Sequence, residues 1–225
     1  MSTLTNLSVS TFVGLNELTR ELVHKKQYHY RRGDYVFLTQ QQHQLYLLCQ
    51  GQVKIGSYLP NGKAIIKDIL GEGDLFGAVT SPAYRSNNFA QVAADDTLLI
   101  IFSSEELPTL PENVQAYLFR MMNRRIRRLE HQLESIAGRT VPYRVIDLLC
   151  RLAHERGKKV GMETMIRHGI THADIAMLIG TSRQTVSGIL AKLRQDNFIN
   201  YDRHRILIRD LSQLEALSMQ EQFEL

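Results

Sequence analysis

Hydrophobic and polar positions follow different periods in the two halves of the chain. Between residues 27 and 102 the apolar residues fall into short runs separated by glycine-containing turns. Such regularly spaced short runs predict a β-sandwich or β-barrel. Residues 4–24, by contrast, are expected to form one or two short helices. The predicted strands include YVFL (35–38), LYLLCQG (45–51), VKIGSYL (53–59), AIIKDIL (64–70) and TLLIIF (97–102).

A single long helix is predicted over residues 112–138, where neither proline nor glycine occurs until Gly138. Its apolar residues repeat at alternating spacings of four and three, which is the a/d seam of a coiled coil. The seam predicts pairing with a second copy of the chain, and the alternative is a helix lying on its own domain. Arg124, Arg125, Arg127 and Arg128 are interpreted as a solvated face or as ion-pair partners. The predicted dimer-interface residues are Leu118, Met122, Ile126, Leu129, Leu133 and Ile136.

Residues 171–194 have the pattern of two short helices joined by a tight turn. Thr171 is the expected N-cap of the first helix, and Asp174 completes a capping box. Gly180 follows that helix, where the chain must reverse with positive φ. Ser182 is the expected N-cap of the second helix, RQTVSGILAKLR. The pattern predicts a helix-turn-helix, with an ordinary pair of packed helices as the alternative.

The exposed positions of the second helix favour DNA binding over that alternative. Arg183 can bond to guanine and Gln184 to adenine. Thr185 and Ser187 carry short hydroxyl side chains that can bond to phosphates or bases. We therefore expect the start of this helix to read DNA. The predicted DNA-binding surface also includes Thr171 and Ser182, which are the N-caps of the two helices.

The segments around the helix-turn-helix predict a winged domain. A helix is expected over residues 141–159 and a short strand over 165–170. Residues 198–201 and 205–209 are expected to form a hairpin whose tip carries Arg203 and His204. Arg203, His204 and Lys192 are predicted to contact phosphate, which supplies affinity without sequence choice. The tail, residues 211–225, is expected to be at most a short amphipathic helix.

The distribution of charge predicts that a polyanion binds to the C-terminal half of the chain. The net charge is +4, but residues 139–209 contain 13 Lys and Arg against six Asp and Glu. The two cysteines, Cys49 and Cys150, lack metal-ligand spacing, so no metal and no cofactor are expected. No leader peptide or membrane span is predicted, which favours a cytoplasmic protein. Neither a nucleophile elbow nor a Walker loop occurs, so we expect no enzyme.

Several motifs in order carry a family resemblance. The chain has R-x-G-D at 31–34, L-Y-L-L-x-x-G-x-V-K at 45–54, P-N-G-K at 60–63 and G-E-G-D-L-F-G at 71–77. With the helix-turn-helix downstream, this order resembles the Crp/Fnr regulators over about residues 15–210. The resemblance implies an α+β protein with three parts. These are a β-roll sensor domain (double-stranded β-helix, cupin-like) over 1–111, a dimerisation helix over 112–138 and a winged helix-turn-helix domain over 139–225.

The expected effector site departs from cyclic-AMP-binding members of the family. Those members have a Glu after the Phe-Gly, where this chain has Ala78, and an Arg-Ser pair where it has Asn88-Phe89. Arg85 and Ser86 could substitute if the loop is shifted. Three alternatives stay open: cyclic AMP, another small molecule, or no ligand. The expected pocket residues are Phe76, Gly77, Ala78, Arg85, Ser86 and Asn88.

The resemblance also implies a DNA half-site different from T-G-T-G-A. Arg183 matches the Arg that reads guanine in the family's S-R-E-T-V-G-R. Gln184 stands where that motif has Glu, and Gly188 stands where it has a second Arg. Expected partners are palindromic double-stranded DNA, a second copy of the chain, RNA polymerase and an effector other than cyclic AMP. The alternative function is a ligand-binding module whose helix-turn-helix serves protein interaction.

Overall fold

The structure of the chain is a computed structural model that describes residues 22, 25–37, 44–78, 88–103, 105–167, 169–202 and 204–220. Apart from the helical position Leu22, the helices predicted over residues 4–24 lie outside the described residues.

In the described residues of the N-terminal domain, the strands form two four-stranded antiparallel sheets. Their strands are Gln27–Tyr30 (β1), Tyr35–Phe37 (β2), Gln44–Gln50 (β3), Val53–Tyr58 (β4), Ala64–Leu70 (β5), Leu75–Ala78 (β6), Asn88–Val92 (β7) and Thr97–Ser103 (β8). One sheet has the order β1-β8-β3-β6, and the other has the order β2-β7-β4-β5. The five strands predicted from apolar runs are confirmed to within two residues at each end.

The core of this domain lies between the two sheets. Leu48 and Leu99 from one sheet pack with Val53 and Leu70 from the other, and all four are fully buried. Burying each such side chain contributes roughly 1.5–3 kcal/mol. The two-sheet β-roll predicted for the sensor domain is therefore present.

A 27-residue helix, Glu112–Gly138 (α1), follows a 3-10 turn at Leu107–Thr109. Its first turns pack Val114, Tyr117 and Leu118 against the sheet that contains β3 and β8. Further along, Arg125 and Arg128 of α1 still contact the roll, and Arg128 and Gln132 contact the C-terminal domain. The predicted bounds of this helix are confirmed.

The C-terminal domain combines four helices with a four-stranded antiparallel sheet in its described residues. The sheet order is Ile199–Tyr201 (β11), Arg205–Ile208 (β12), Glu163–Arg167 (β10) and Lys158–Val160 (β9). The helices are Val141–Arg156 (α2), His172–Ile179 (α3), Arg183–Gln195 (α4) and Leu211–Gln220 (α5). This is the predicted winged helix-turn-helix with one additional strand.

That additional strand corrects the prediction of one helix over residues 141–159. Helix α2 ends at Arg156, and Lys158–Val160 pairs with β10 instead. Gly157 allows this change because a Cβ there would lie 2.3 Å from the Ala153 carbonyl oxygen. All three residues of β9 are exposed, so no alternation of apolar and polar residues marks the strand in the sequence.

The C-terminal domain packs directly on the β-roll of its own chain. Ile66 and Ile69 of β5 belong to the same apolar cluster as the helices of the C-terminal domain. Lys54 Nζ lies 3.0 Å from Asp174 Oδ1 at the start of α3. Gly169 approaches the roll so closely that a Cβ there would lie 1.9 Å from the Ala93 carbonyl oxygen. Strands β4 and β5 of the roll therefore contact the helix-turn-helix domain directly.

Within the described ranges, no helix has both the length and the apolar character required to cross a bilayer.

Candidate nucleic-acid interface and sensor site

The helix-turn-helix is shaped by local hydrogen bonds. The Thr171 hydroxyl accepts from Asp174 N, and the Asp174 carboxylate accepts from Thr171 N at 2.8 Å. This reciprocal capping box satisfies backbone N–H groups at the start of α3. Gly180 then adopts φ 75°, ψ 46°, the left-handed conformation that reverses the chain. The sequence-predicted caps and turn are therefore present, and they set the angle at which α4 leaves α3.

Helix α4 presents its first residues to solvent. Ser182 caps it by accepting from Thr185 N at 3.0 Å. The inward face packs into the domain core through Val186, Ile189, Leu190 and Leu193. Arg183 and Gln184 are exposed, and among the described residues their side chains form no hydrogen bond or ion pair. The two side chains predicted to read bases are thus exposed and unpaired among the described residues.

The hydroxyl groups predicted to contact DNA already have partners inside the motif. Thr171 and Ser182 cap their helices, and Thr185 Oγ1 lies 2.8 Å from Ser182 Oγ. Ser187 Oγ donates to the Arg183 carbonyl oxygen at 2.9 Å and also lies 2.9 Å from His172 Nδ1. These hydroxyl groups form hydrogen bonds within the motif, whereas no such bond involves the side chains of Arg183 and Gln184 among the described residues.

His172 connects the two helices of the motif, a role that the sequence did not signal. Because the single Ser187 proton is donated to Arg183, we assign the proton of the 2.9 Å contact to His172 Nδ1. Burial, and then the neighbouring charge of Arg183, lower the pKa of His172. Its ring also packs edge-on against Tyr201 at 5.7 Å. His172 therefore links α3, α4 and the wing.

The basic residues predicted beside the recognition helix are partly paired. Lys192 Nζ lies 3.4 Å from Asp196 Oδ1. At the tip of the wing, Arg205 Nε lies 2.6 Å from Asp202 Oδ2, although Arg205 itself is not among the predicted contacts. Hydrogen bonds from the His204 backbone N–H and the Arg205 side chain lower the pKa of Asp202. His204 is exposed at the tip of the wing, and Arg203 lies outside the described residues.

Helix α1 carries an apolar stripe that is exposed in the single chain. Its side chains are between 39% and 69% exposed and repeat at spacings of three and four residues. Leu118, predicted at the start of this seam, is only 4% exposed and packs into the sensor core. Phe119 takes its place, because α1 is still in contact with the roll at this point. The exposed stripe comprises Phe119, Met122, Ile126, Leu129, Leu133 and Ile136.

The predicted effector residues are only partly brought together. Phe76 is 1% exposed and stacks on Tyr46 with ring centroids 5.0 Å apart, so it forms part of the roll core. Gly77 has φ 108°, and a Cβ there would lie 2.2 Å from the Gln44 carbonyl oxygen. Asn88 Oδ1 accepts from Lys67 Nζ at 2.7 Å. Arg85, Ser86 and the Ala78 side chain lie outside the described residues.

A buried ionic cluster joins the roll, α1 and the C-terminal domain. Arg128 of α1 contacts Asp68 at 3.1 Å, Asp74 at 2.9 Å and Glu155 of α2 at 3.1 Å. The side chains of Arg128 and Asp68 are 3% and 0% exposed. Arg151 of α2 lies 3.5 Å from Asp68. The interpretation of Arg128 as part of a solvated face is therefore wrong, and the alternative of an ion-pair partner is correct.

Electrostatics keep this cluster charged despite its burial. Burial raises the pKa of Asp74, but the charge and hydrogen bonds of Arg128 outweigh it, so the net pKa is lowered. Burial likewise lowers the pKa of Arg128, and Asp68 and Asp74 more than compensate, so the net pKa is raised. Charge-assisted hydrogen bonds in this cluster connect the roll, α1 and α2.

Comparison with known proteins agrees with this architecture. Residues 27–113 match the family model of the cyclic nucleotide-binding domain, and residues 143–217 match that of the Crp-like helix-turn-helix domain. The structure of FixK2 from Bradyrhizobium japonicum superposes with a TM-score of 0.73 at 21% identity. That match covers 86% of this chain and 96% of FixK2, and it shows the shared fold.

Two curated relatives extend the similarity to sequence. The CRP-like cAMP-activated global transcriptional regulator of Mycobacterium tuberculosis is 31% identical, over 76% of this chain and 77% of the relative. The Cyclic AMP receptor protein of Thermus thermophilus is 26% identical, over 77% of this chain and 79% of the relative. Both family models fall on the two domains described above, and the exposed recognition helix lies in the second. The chain belongs to the Crp/Fnr family of transcription regulators.

Proposed function

We propose that this transcription regulator binds a palindromic DNA site as a homodimer, reading each half-site with Arg183 and Gln184. The observation that carries the proposal is the exposed start of α4, where both side chains are unpartnered among the described residues. The proposed division is a sensor over 1–111, a dimerisation helix over 112–138 and a DNA-binding domain over 139–225. Two recognition helices about 34 Å apart enter successive major grooves of one duplex.

Binding-site selection from random duplex DNA, with the full chain and no added ligand, tests this function. We expect a palindrome in which each half-site contains one guanine that Arg183 contacts. The cytosine contact made through Glu in the family motif should be absent, and adenine should be favoured at the position of Gln184. An unchanged T-G-T-G-A half-site would contradict the residue assignment. No enrichment at low salt, with or without a metabolite extract, would favour the alternative in which the motif binds protein.

The exposed stripe of α1 supports the dimer. Leu133→Glu places a charge in the centre of the predicted seam, where pairing would bury it without a partner. We expect the variant to be monomeric at concentrations where the wild type is dimeric, measured by sedimentation velocity. His131→Glu is the matched control, because residue 131 is an exposed position of the same helix that does not belong to the apolar stripe. Equal sedimentation of both variants and the wild type would contradict this interface.

The sensor domain is proposed to bind an effector other than cyclic AMP. Ala78 and Asn88-Phe89 replace the Glu and Arg-Ser through which cyclic-AMP-binding members hold ribose and phosphate. An effector shifts the dimer towards its DNA-binding geometry only through differential affinity for the two states. RNA polymerase is a further proposed partner. We propose no catalytic role, and we propose that the protein acts in the cytoplasm.

A further inference from the structure

The first turns of the recognition helix α4 contain two features that weaken a helix locally. Ser187 Oγ donates to the Arg183 carbonyl oxygen at 2.9 Å, one turn earlier in the helix. A side-chain bond of this kind competes with the backbone hydrogen bond to the same oxygen and often bends the helix. Gly188 follows directly, and glycine destabilises a helix interior. A contact from another element is therefore valuable for holding the start of α4 in place.

His172, the first residue of α3, supplies such a contact. Its Nδ1 lies 2.9 Å from Ser187 Oγ and donates the proton, because the Ser187 proton is already given to Arg183. Two hydrogen bonds in series thus run from α3 to the backbone of Arg183. Burial, and secondly the charge of Arg183, lower the pKa of His172, which favours the neutral ring.

Tyr201 of the wing connects His172 to the other end of α4. The two rings pack edge-on with their centroids 5.7 Å apart. The guanidinium carbon of Arg194, in the last turn of α4, lies 5.5 Å from the centre of the Tyr201 ring, which is a cation–π distance. His172 is thus connected to the recognition helix twice, through Ser187 near its start and through Tyr201 at its end.

The placement of Arg183 matters because no second arginine on this helix shares its task. Gly188 stands where the family motif has that arginine, and a Cβ there would meet no atom within 4 Å. A bidentate contact with guanine requires two well-aligned hydrogen bonds at once, so a small displacement of the backbone weakens both.

We propose that His172 is a positioning residue for base reading. Through Ser187 it holds the backbone of Arg183, and it thereby increases the discrimination in favour of the guanine that Arg183 contacts. His172 needs no contact with DNA for this role. The inference rests on the proposed reading of DNA by Arg183.

Fluorescence anisotropy with the full chain tests this role, using the selected palindrome and a duplex in which the guanine assigned to Arg183 is replaced in both half-sites. His172→Phe keeps a ring beside Tyr201 but removes the donor, and should lower the ratio of the two affinities about tenfold. His172→Asn places an amide N–H near the position of Nδ1 and should recover most of the ratio. His154→Phe is the matched control and should leave it unchanged, because His154 lies in α2 and pairs with Glu215 of α5.

Two further backgrounds distinguish positioning from a general effect on the fold. Ser187→Ala breaks the same connection, so adding His172→Phe to it should cause no further decrease in the ratio. In an Arg183→Ala background, His172→Phe should again leave the ratio unchanged, because the contact that it positions is absent. A merely structural role would lower affinity for both duplexes alike in every background.

The outcomes separate this inference from the proposed function. If the wild type selects no DNA site, the proposed function fails and the positioning role falls with it. If the wild type discriminates the guanine and His172→Phe discriminates it equally well, only the positioning role is overturned. The same holds if His172→Asn is no better than His172→Phe. Thermal melting confirms that each variant is folded, and where His172→Phe is unfolded, an unchanged ratio in Ser187→Ala overturns the inference.

Discussion

Replacing Arg183 by alanine is expected to lower the affinity of the dimer for its specific DNA site by between about 30-fold and 20,000-fold. A bidentate contact between Arg and guanine contributes roughly 1–3 kcal/mol of discrimination, and a palindrome contains two of them. The guanidinium is exposed at the start of α4 and unpartnered among the described residues, so its removal leaves the fold intact. Fluorescence anisotropy with the selected palindrome, and with a scrambled duplex, measures the effect.

Lys192→Ala is the matched control, because it removes the same charge from the same helix at a predicted phosphate contact. We expect it to weaken binding to both duplexes alike and to reduce the salt dependence, by about one unit of slope for each phosphate group that is no longer neutralised. Arg183→Ala should instead weaken the selected site far more than the scrambled one. If the two variants change the ratio of specific to non-specific affinity equally, Arg183 does not read a base.

Arg128→Met is expected to lower the free energy of unfolding by about 3–5 kcal/mol, which is the cost of leaving a buried charge without its partner. Arg128 contacts Asp68, Asp74 and Glu155, so the substitution leaves carboxylates from two domains without this cation. Urea denaturation followed by circular dichroism measures the decrease. A natural domain has a total stability of only about 5–15 kcal/mol, so the effect is large.

Arg127→Met is the control for that variant, because residue 127 is exposed one position earlier on α1. Its effect should stay within about 0.5 kcal/mol. Adding Asp68→Asn to Arg128→Met should cost less than the sum of the two single changes, since the residues contact each other. Equal stability of Arg127→Met and Arg128→Met would show that the cluster does not hold the domains together.

The same cluster predicts a dependence of stability on pH. In the folded chain the pKa of Asp74 lies below its ordinary value, because the effect of Arg128 outweighs that of burial. A carboxyl with a lowered pKa stabilises the fold above its unfolded pKa of about 3.9 and loses this contribution as the pH falls through the folded value. Between about pH 5 and pH 3 the wild type should therefore lose more stability than Arg128→Met.

Features determined by nearby residues could be predicted from the sequence. The capping box between Thr171 and Asp174, and the left-handed turn at Gly180, depend on residue types a few positions apart. The bounds of α1 follow from an uninterrupted helical pattern between Pro111 and Gly138. Because such bonds form within one or two helical turns, the sequence alone determined the helix-turn-helix, its exposed Arg183 and the family.

Only the tertiary structure decided which charges are buried and which hydrophobic residues are exposed. Arg128 contacts Asp68 and Asp74, which are 60 and 54 positions away in the sequence. No periodic pattern predicts a contact between residues so far apart in the chain. Leu118 has the spacing of the seam, yet it is buried because the roll covers that turn of α1. Contacts between residues distant in sequence depend on how elements pack, which local residue preferences do not specify.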